Sequence, residues 1–266
     1  SLTADYLSLQ QVDEPIIGDT SIAIPQLLET CSNIIKRKPT LKNMYRDRHK
    51  LIKAEHNLQR AKWSDEGKKV WDSQPLSFPR LTADIWTSIR DHDWALVNVS
   101  YTILQWCKRI WKFSKPSQYL GHSGAGGLGY GIPASIGAAL AYRNKDRLCV
   151  DLNSDGDALY TINALWTASH HKIPVLCIIY NNRAYWNSTA HRTHVAQARN
   201  RSTVTATVGT TIDNPQINFA KLAEAQGVHG EGPIDSPVAL KSALRKAKEI
   251  VLGGEPALID VITQPM

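Results

Sequence analysis

No run of 18 apolar residues occurs in the 266-residue sequence, so no segment has the length and apolarity that a membrane-spanning helix needs. A charged n-region followed by an apolar h-region is also missing, and no secretory leader is read. The chain opens Ser-Leu-Thr-Ala-Asp without an initiating Met, and a genuine N-terminus is expected to lie upstream. The four cysteines, Cys31, Cys107, Cys149 and Cys177, form no CxxC pair. That excludes a thiolate zinc site of the usual spacing and points to reduced thiols in a cytosol-like compartment. A cytoplasmic protein is the expectation, with organellar targeting left open by the missing N-terminus. RNP, KH and zinc-finger patterns are absent.

The net charge of +7 comes from one place. Residues 36–69 hold 12 Lys/Arg and 4 Asp/Glu, whereas the rest of the chain holds 19 basic and 20 acidic residues. A basic excess confined to one segment reads as a solvated linker helix rather than a nucleic-acid-binding face.

What is present is an alternation of apolar strands and helices. Residues 1–35 read as a strand-like start, a turn at Asp19-Thr20 and a short helix, the end of an α/β unit whose beginning is not in the sequence. Residues 36–75 read as a basic, partly helical linker ended by Pro75 and Pro79. From 76 onward "RLTADIWTSIRD" has helical spacing, with Leu81, Ile85 and Ile89 on one face. "WALVNVS", "RLCVDLNSD", "IPVLCIIYNN" and "PALIDVITQ" read as strands. "IPASIGAALAYR", "ALYTINALWTASHH", "INFAKLAEAQG" and "SPVALKSALRKAKEIVLGG" read as helices. This order predicts an α/β fold, a parallel sheet with helices on both faces. The region of Trp106 and Trp111 has no assigned element, and aromatic packing is its default role.

Ligands of such sheets bind at the carboxyl ends of the strands. Two strands here end in polar groups: Ser154-Asp155-Gly156-Asp157 and Asn181-Asn182. Taken singly, each is an ordinary Asx-type turn. Taken together they supply a carboxylate, an amide oxygen and backbone carbonyls, hard ligands carrying one negative charge. Magnesium held this way completes its octahedron with further oxygens, usually from a phosphorylated ligand. A helix beginning near Leu159 would turn its N-terminus to the same place.

Asp155-Gly156, then 25 residues, then Asn182 resembles the thiamine-diphosphate signature, G-D-G followed by about that spacing and N-N. "GGLGYGIPASIGAALAY", "TINALWTASHHKIPVLCIIYNN" and "FAKLAEAQGVHGEGP" extend the resemblance. They are similar to the C-terminal cofactor domain of the acetolactate synthase, benzoylformate decarboxylase and pyruvate decarboxylase family. It covers residues 76–266, with 1–35 resembling the end of the family's central domain more weakly. The resemblance implies a thiamine-diphosphate-binding fold and a Mg²⁺-dependent decarboxylase or carboligase acting on 2-oxo acids. It places Asp155, Asn182 and the Ala184 carbonyl as metal ligands. Ser154, Gly156, Asp157, Asn182 and Tyr185 fall on the cofactor, with Gly126, Gly127 and Leu128. Leu128 matches the apolar residue that props the cofactor's two rings into a V, and Gly126 the residue whose carbonyl meets its amino group; both are the catalytic candidates. His122, Trp186 and His191 are candidates on the substrate side, with a backbone-bonded loop histidine and an ordinary surface residue as the alternatives for the two histidines. His170 and His171 read as helix-end residues.

Two positions depart from the pattern. Ser154 stands for the first glycine, and Asp157 stands where a small hydroxyl residue is common. An extra acid beside a diphosphate is tolerable if it faces away or helps to hold the metal. The resemblance also implies an activating glutamate on a separate N-terminal domain, usually of a partner subunit, and Glu224, Glu231, Glu249 and Glu255 lie in the wrong context for it. The chain thus reads as half of an active site in a homodimer or homotetramer, with FAD open for the central region. The alternative is a catalytically silent cofactor-binding subunit.

Overall fold

The computed structural model describes residues 13–121 and 127–264. The chain divides into two compact units, Ser1–Lys62 and Trp63–Met266. In the first, α1 (Thr20–Arg37) starts where the sequence puts its turn: Asp19 is the N-cap, and its carboxylate accepts the Ser21 N–H at 2.8 Å. The basic segment is α2, one continuous helix over Pro39–Lys69. It is helical along its whole length rather than in part, with Asp47–Lys50 and Asp65–Lys68 pairs on its surface.

The second unit holds one five-stranded sheet, all parallel, in the order β1 (Trp94–Val99), β2 (Leu148–Ser154), β3 (Val175–Asn181), β5 (Ala257–Ile262), β4 (His229–Ile234). Helices cover both faces, as the alternation predicts. Along β2 and β3 the side chains alternate between the two faces with period two. Leu148, Val150 and Leu152, with Leu176, Ile178 and Tyr180, join a core with α3 (Phe78–Ile89), α4 (Tyr101–Ile110) and α10 (Pro237–Leu252). Cys149, Val175, Cys177 and Ile179 join the opposite core, with α5 (Gly131–Ala141), α6 (Asp155–Thr161), α7 (Leu165–His170) and α9 (Phe219–Glu224).

Leu81, Ile85 and Ile89 of α3 are fully buried, as their spacing requires. The unassigned tryptophan region is α4 and the turn after it: Trp111 stacks on Trp86, meets Trp94 edge-on and donates its indole N–H to the Thr82 carbonyl. "ALYTINALWTASHH" is not one helix but α6, a 3-10 turn at Ile162–Ala164, and α7. The first of these begins at Asp155, four residues earlier than expected, because the Ser154 hydroxyl accepts the Asp157 N–H and caps it. Beyond β3, α8 (Trp186–Ala198) follows the Asn-Asn turn. The four cysteines are free thiols, and three of them are buried.

Candidate functional site

β2 and β3 are neighbours, with Ser154 level with Tyr180, so the two polar strand ends emerge side by side at the carboxyl edge. The chain after β3 then turns back sharply. Arg183 takes a left-handed conformation (φ 57°), and its N–H is given to the Asn181 amide oxygen. That turn brings the Ala184 N–H between two side chains. It lies 3.0 Å from Asp155 Oδ2 and 3.1 Å from Asn182 Oδ1. The carboxylate and the amide oxygen read from the sequence as metal ligands therefore converge on one point.

The Asp155 carboxylate is buried. Its Oδ1 accepts the Gly156 N–H at 2.9 Å. Burial pushes its pKa up to about 6, against the opposing pull of backbone N–H groups from Gly156, Ala184 and Arg183. A buried carboxylate that resists ionisation gains most from a cation at its free lone pairs. Among the described residues no three His, Cys, Asp or Glu side chains gather into a metal cluster. One carboxylate, one amide and a carbonyl are a magnesium-type donor set completed from outside, so the residues present fit a Mg²⁺-diphosphate group.

Gly156 is required by its neighbour: a Cβ there would come within 2.7 Å of the Tyr185 ring. Burial raises the Tyr185 phenol, and Tyr160 and Asp155 add to the rise. The turn at 127–130 also meets α6. Leu128 is 52% exposed, and Gly129 (φ +87°) bonds to α6 through Asp157 and Thr161. Asp157 thus faces the glycine turn. His122 and Gly126 lie outside the described residues. Trp186 is the first residue of α8; His191 is exposed further along it and has no hydrogen bond to the Asp155–Asn182 group among the described residues.

Two positions escaped the sequence reading. Asp260 in β5 accepts the Asn181 side-chain N–H at 3.0 Å and the Phe219 N–H at 3.0 Å, so it holds the residue that shapes the Arg183 turn. Asp151 in β2 accepts from the Asn98 amide at 2.9 Å beneath α5. Burial pushes Asp151 up to about 7, with Asn98 opposing and Asp157 adding to the rise. The available signal was an acid at an apolar position of a buried strand, "LIDVI" and "CVDLN". Close above, Gly131 opens α5: a Cβ on it would meet the amides of Asn98 and Asn153 at 2.5 Å.

The model of the thiamine pyrophosphate enzyme, C-terminal TPP binding domain, matches residues 102–261, which include Leu128, Asp155, Asn182 and Ala184. The chain belongs to this family. It is similar to a probable acetolactate synthase large subunit of Methanocaldococcus jannaschii, 28% identical over 212 residues, 73% of this chain and 32% of the relative. It is also similar to one of Methanococcus aeolicus, 24% identical over 96% of this chain and 40% of that protein. Among solved structures, the thiamine diphosphate-dependent 4-hydroxybenzoylformate decarboxylase of Rhodococcus jostii RHA1 matches with a TM-score of 0.61 at 32% identity, over 72% of this chain and 33% of its own. The chain therefore spans 32–40% of the length of these proteins.

Proposed function

We propose that this chain carries the diphosphate half of a thiamine-diphosphate- and Mg²⁺-dependent enzyme that decarboxylates or ligates 2-oxo acids, in the manner of acetolactate synthases. The observation that carries the reading is the convergence of Asp155 and Asn182 on the Ala184 N–H. Asp155, Asn182 and the Ala184 carbonyl would hold Mg²⁺, and Ser154, Gly156 and the start of α6 would face the diphosphate. When bound, the cofactor supplies an electron sink for the carbon left by CO₂ loss. Leu128 and Tyr185 orient the ring end and exclude water from it.

The activating glutamate comes from another domain in this reading. Glu231 is engaged by Lys246 and His229, Glu255 by Lys172 and Glu249 by Arg245, all outside the strand-end site. The whole enzyme pairs this chain with a pyrimidine-binding domain, from the same protein or from a partner subunit in an oligomer.

The test is calorimetry with thiamine diphosphate and Mg²⁺. Wild type should bind weakly and only with the metal; Asp155→Ala should lose the Mg²⁺-dependent binding while its circular dichroism stays unchanged. Equal affinity in both proteins would sink the assignment.

A further inference from the structure

We propose that Asp157 is a positioning residue: its carboxylate clamps the turn at 127–130 onto α6 and so fixes where Leu128 stands. The inference rests on the proposed cofactor site but concerns a different contact. Gly129 is grasped at both of its polar atoms. Its N–H donates to Asp157 Oδ1 at 2.8 Å, and its carbonyl accepts the Thr161 hydroxyl at 2.9 Å. Asp157 and Thr161 are four residues apart, on one face of α6.

The fit is close enough to demand glycine. At φ +87° a Cβ would lie 2.9 Å from both the Tyr160 Cβ and the Thr161 Cγ2, so the turn rests directly on the helix backbone's side-chain stems. Leu128 itself is more than half exposed and has little burial to hold it. Its place follows from that of Gly129, the next residue.

The clamp also accounts for the departure at this position. A carboxylate reaches one atom further than a serine hydroxyl and accepts an N–H more strongly. Asp157 is 7% exposed and spends its Oδ1 on the Gly129 N–H. Its role is to orient the prop, and anchoring of the cofactor falls to other groups.

Amide hydrogen exchange of the 266-residue chain tests this without cofactor. Asp157→Asn keeps an acceptor oxygen and should leave Gly129 protected. Asp157→Ala should speed exchange at Gly129 by about tenfold, the loss of one charge-assisted hydrogen bond, while Val150 and Ile178 in the sheet stay as in wild type. Asp157→Ser, too short to reach, serves in its place if the alanine variant does not fold, and Thr161→Val should give a smaller rise. Calorimetry with thiamine diphosphate and Mg²⁺ should show affinity unchanged or tighter in Asp157→Asn, since a negative charge has been removed. Equal Gly129 exchange in the asparagine and alanine variants overturns the clamp. So does a tenfold loss of affinity in Asp157→Asn, which would make the carboxylate part of the anchor. If the wild-type chain binds no thiamine diphosphate at all, the proposed function fails, and the Gly129 exchange rates still decide the clamp.

Discussion

The two faces of the sheet are built by opposite rules. The face under α3, α4 and α10 is large and apolar: Trp94, Trp111, Leu81, Ile85, Ile103 and Leu244 fill it, with Trp86 and Phe113 stacked against Trp111. The face under α5, α6, α7 and α9 has no tryptophan among the described residues and is richer in small side chains, Ala95, Ala139, Ala158, Ala168 and Ala223 among them, set between Ile132, Ile136, Leu165 and Phe219. It also buries Asn98, Asp151, Asn153 and Ser135. Small residues let helices approach the strands closely, and the strand-end site and the glycine turn lie on that side. The aromatic face supplies cohesion; the small-residue face gives some of it up to bring backbone groups into position.

Breaking the aromatic face should have the largest effect on stability. Trp94 is 1% exposed and touches the rings of Trp86, Trp111 and Phe113. Trp94→Ala should cost about 3–5 kcal/mol, much of a domain's stability, and a fall in the urea midpoint reads it. A cost below about 1 kcal/mol would mean that this face is not the main source of cohesion.

The small-residue face should respond in the opposite sense, and with pH. Asp151 is fully buried and titrates near 7 in the fold, against about 3.9 in the unfolded chain. Between those values the folded state binds more protons, so this group lowers stability as pH rises from about 4 to about 7. Asp151→Asn keeps the Oδ1 that accepts from Asn98 and removes the buried charge. It should stabilise the chain by roughly 2 kcal/mol at pH 8, with the gain shrinking toward pH 5. Urea midpoints of both proteins at the two pH values measure it; an equal difference at each would remove charge burial as the cause.

The same contrast explains what the sequence allowed to be read. Apolar runs made four of the five strands, β1, β2, β3 and β5, legible, because they are buried along almost their whole length, and helical spacing did the same for the Leu81–Ile85–Ile89 stripe. Asp155, Gly156 and Asn182 were legible as a pair of strand ends with a spacing. Asp260 and Asp151 were not, since each acts on a residue in a neighbouring strand, through pairings that sequence order does not reveal. The strand β4, "HGEGPI", has too few apolar residues to show a strand period, and α8 has no apolar stripe. Its position on α10's flank and at the sheet edge leaves β4 half exposed, which is why burial wrote so little into it.

Leu128→Ala sharpens the comparison from the side with the least to lose. A leucine buried in the aromatic face would cost about 2–5 kcal/mol on truncation. Leu128 is 52% exposed, so its replacement should shift stability by less than about 0.5 kcal/mol. The Asp155–Asn182 pair is held through the Ala184 N–H, and Gly129 keeps its own bonds to Asp157 and Thr161. In the proposed reading, binding of thiamine diphosphate with Mg²⁺ should therefore survive, while turnover in the complete enzyme falls, because Leu128 is proposed to orient the rings and the groups proposed to anchor the diphosphate remain. Calorimetry, a urea titration and a turnover assay separate the three quantities. A variant that loses stability and affinity together would show Leu128 to be a packing residue, and the exposed apolar surface at this turn would then need another reason to exist.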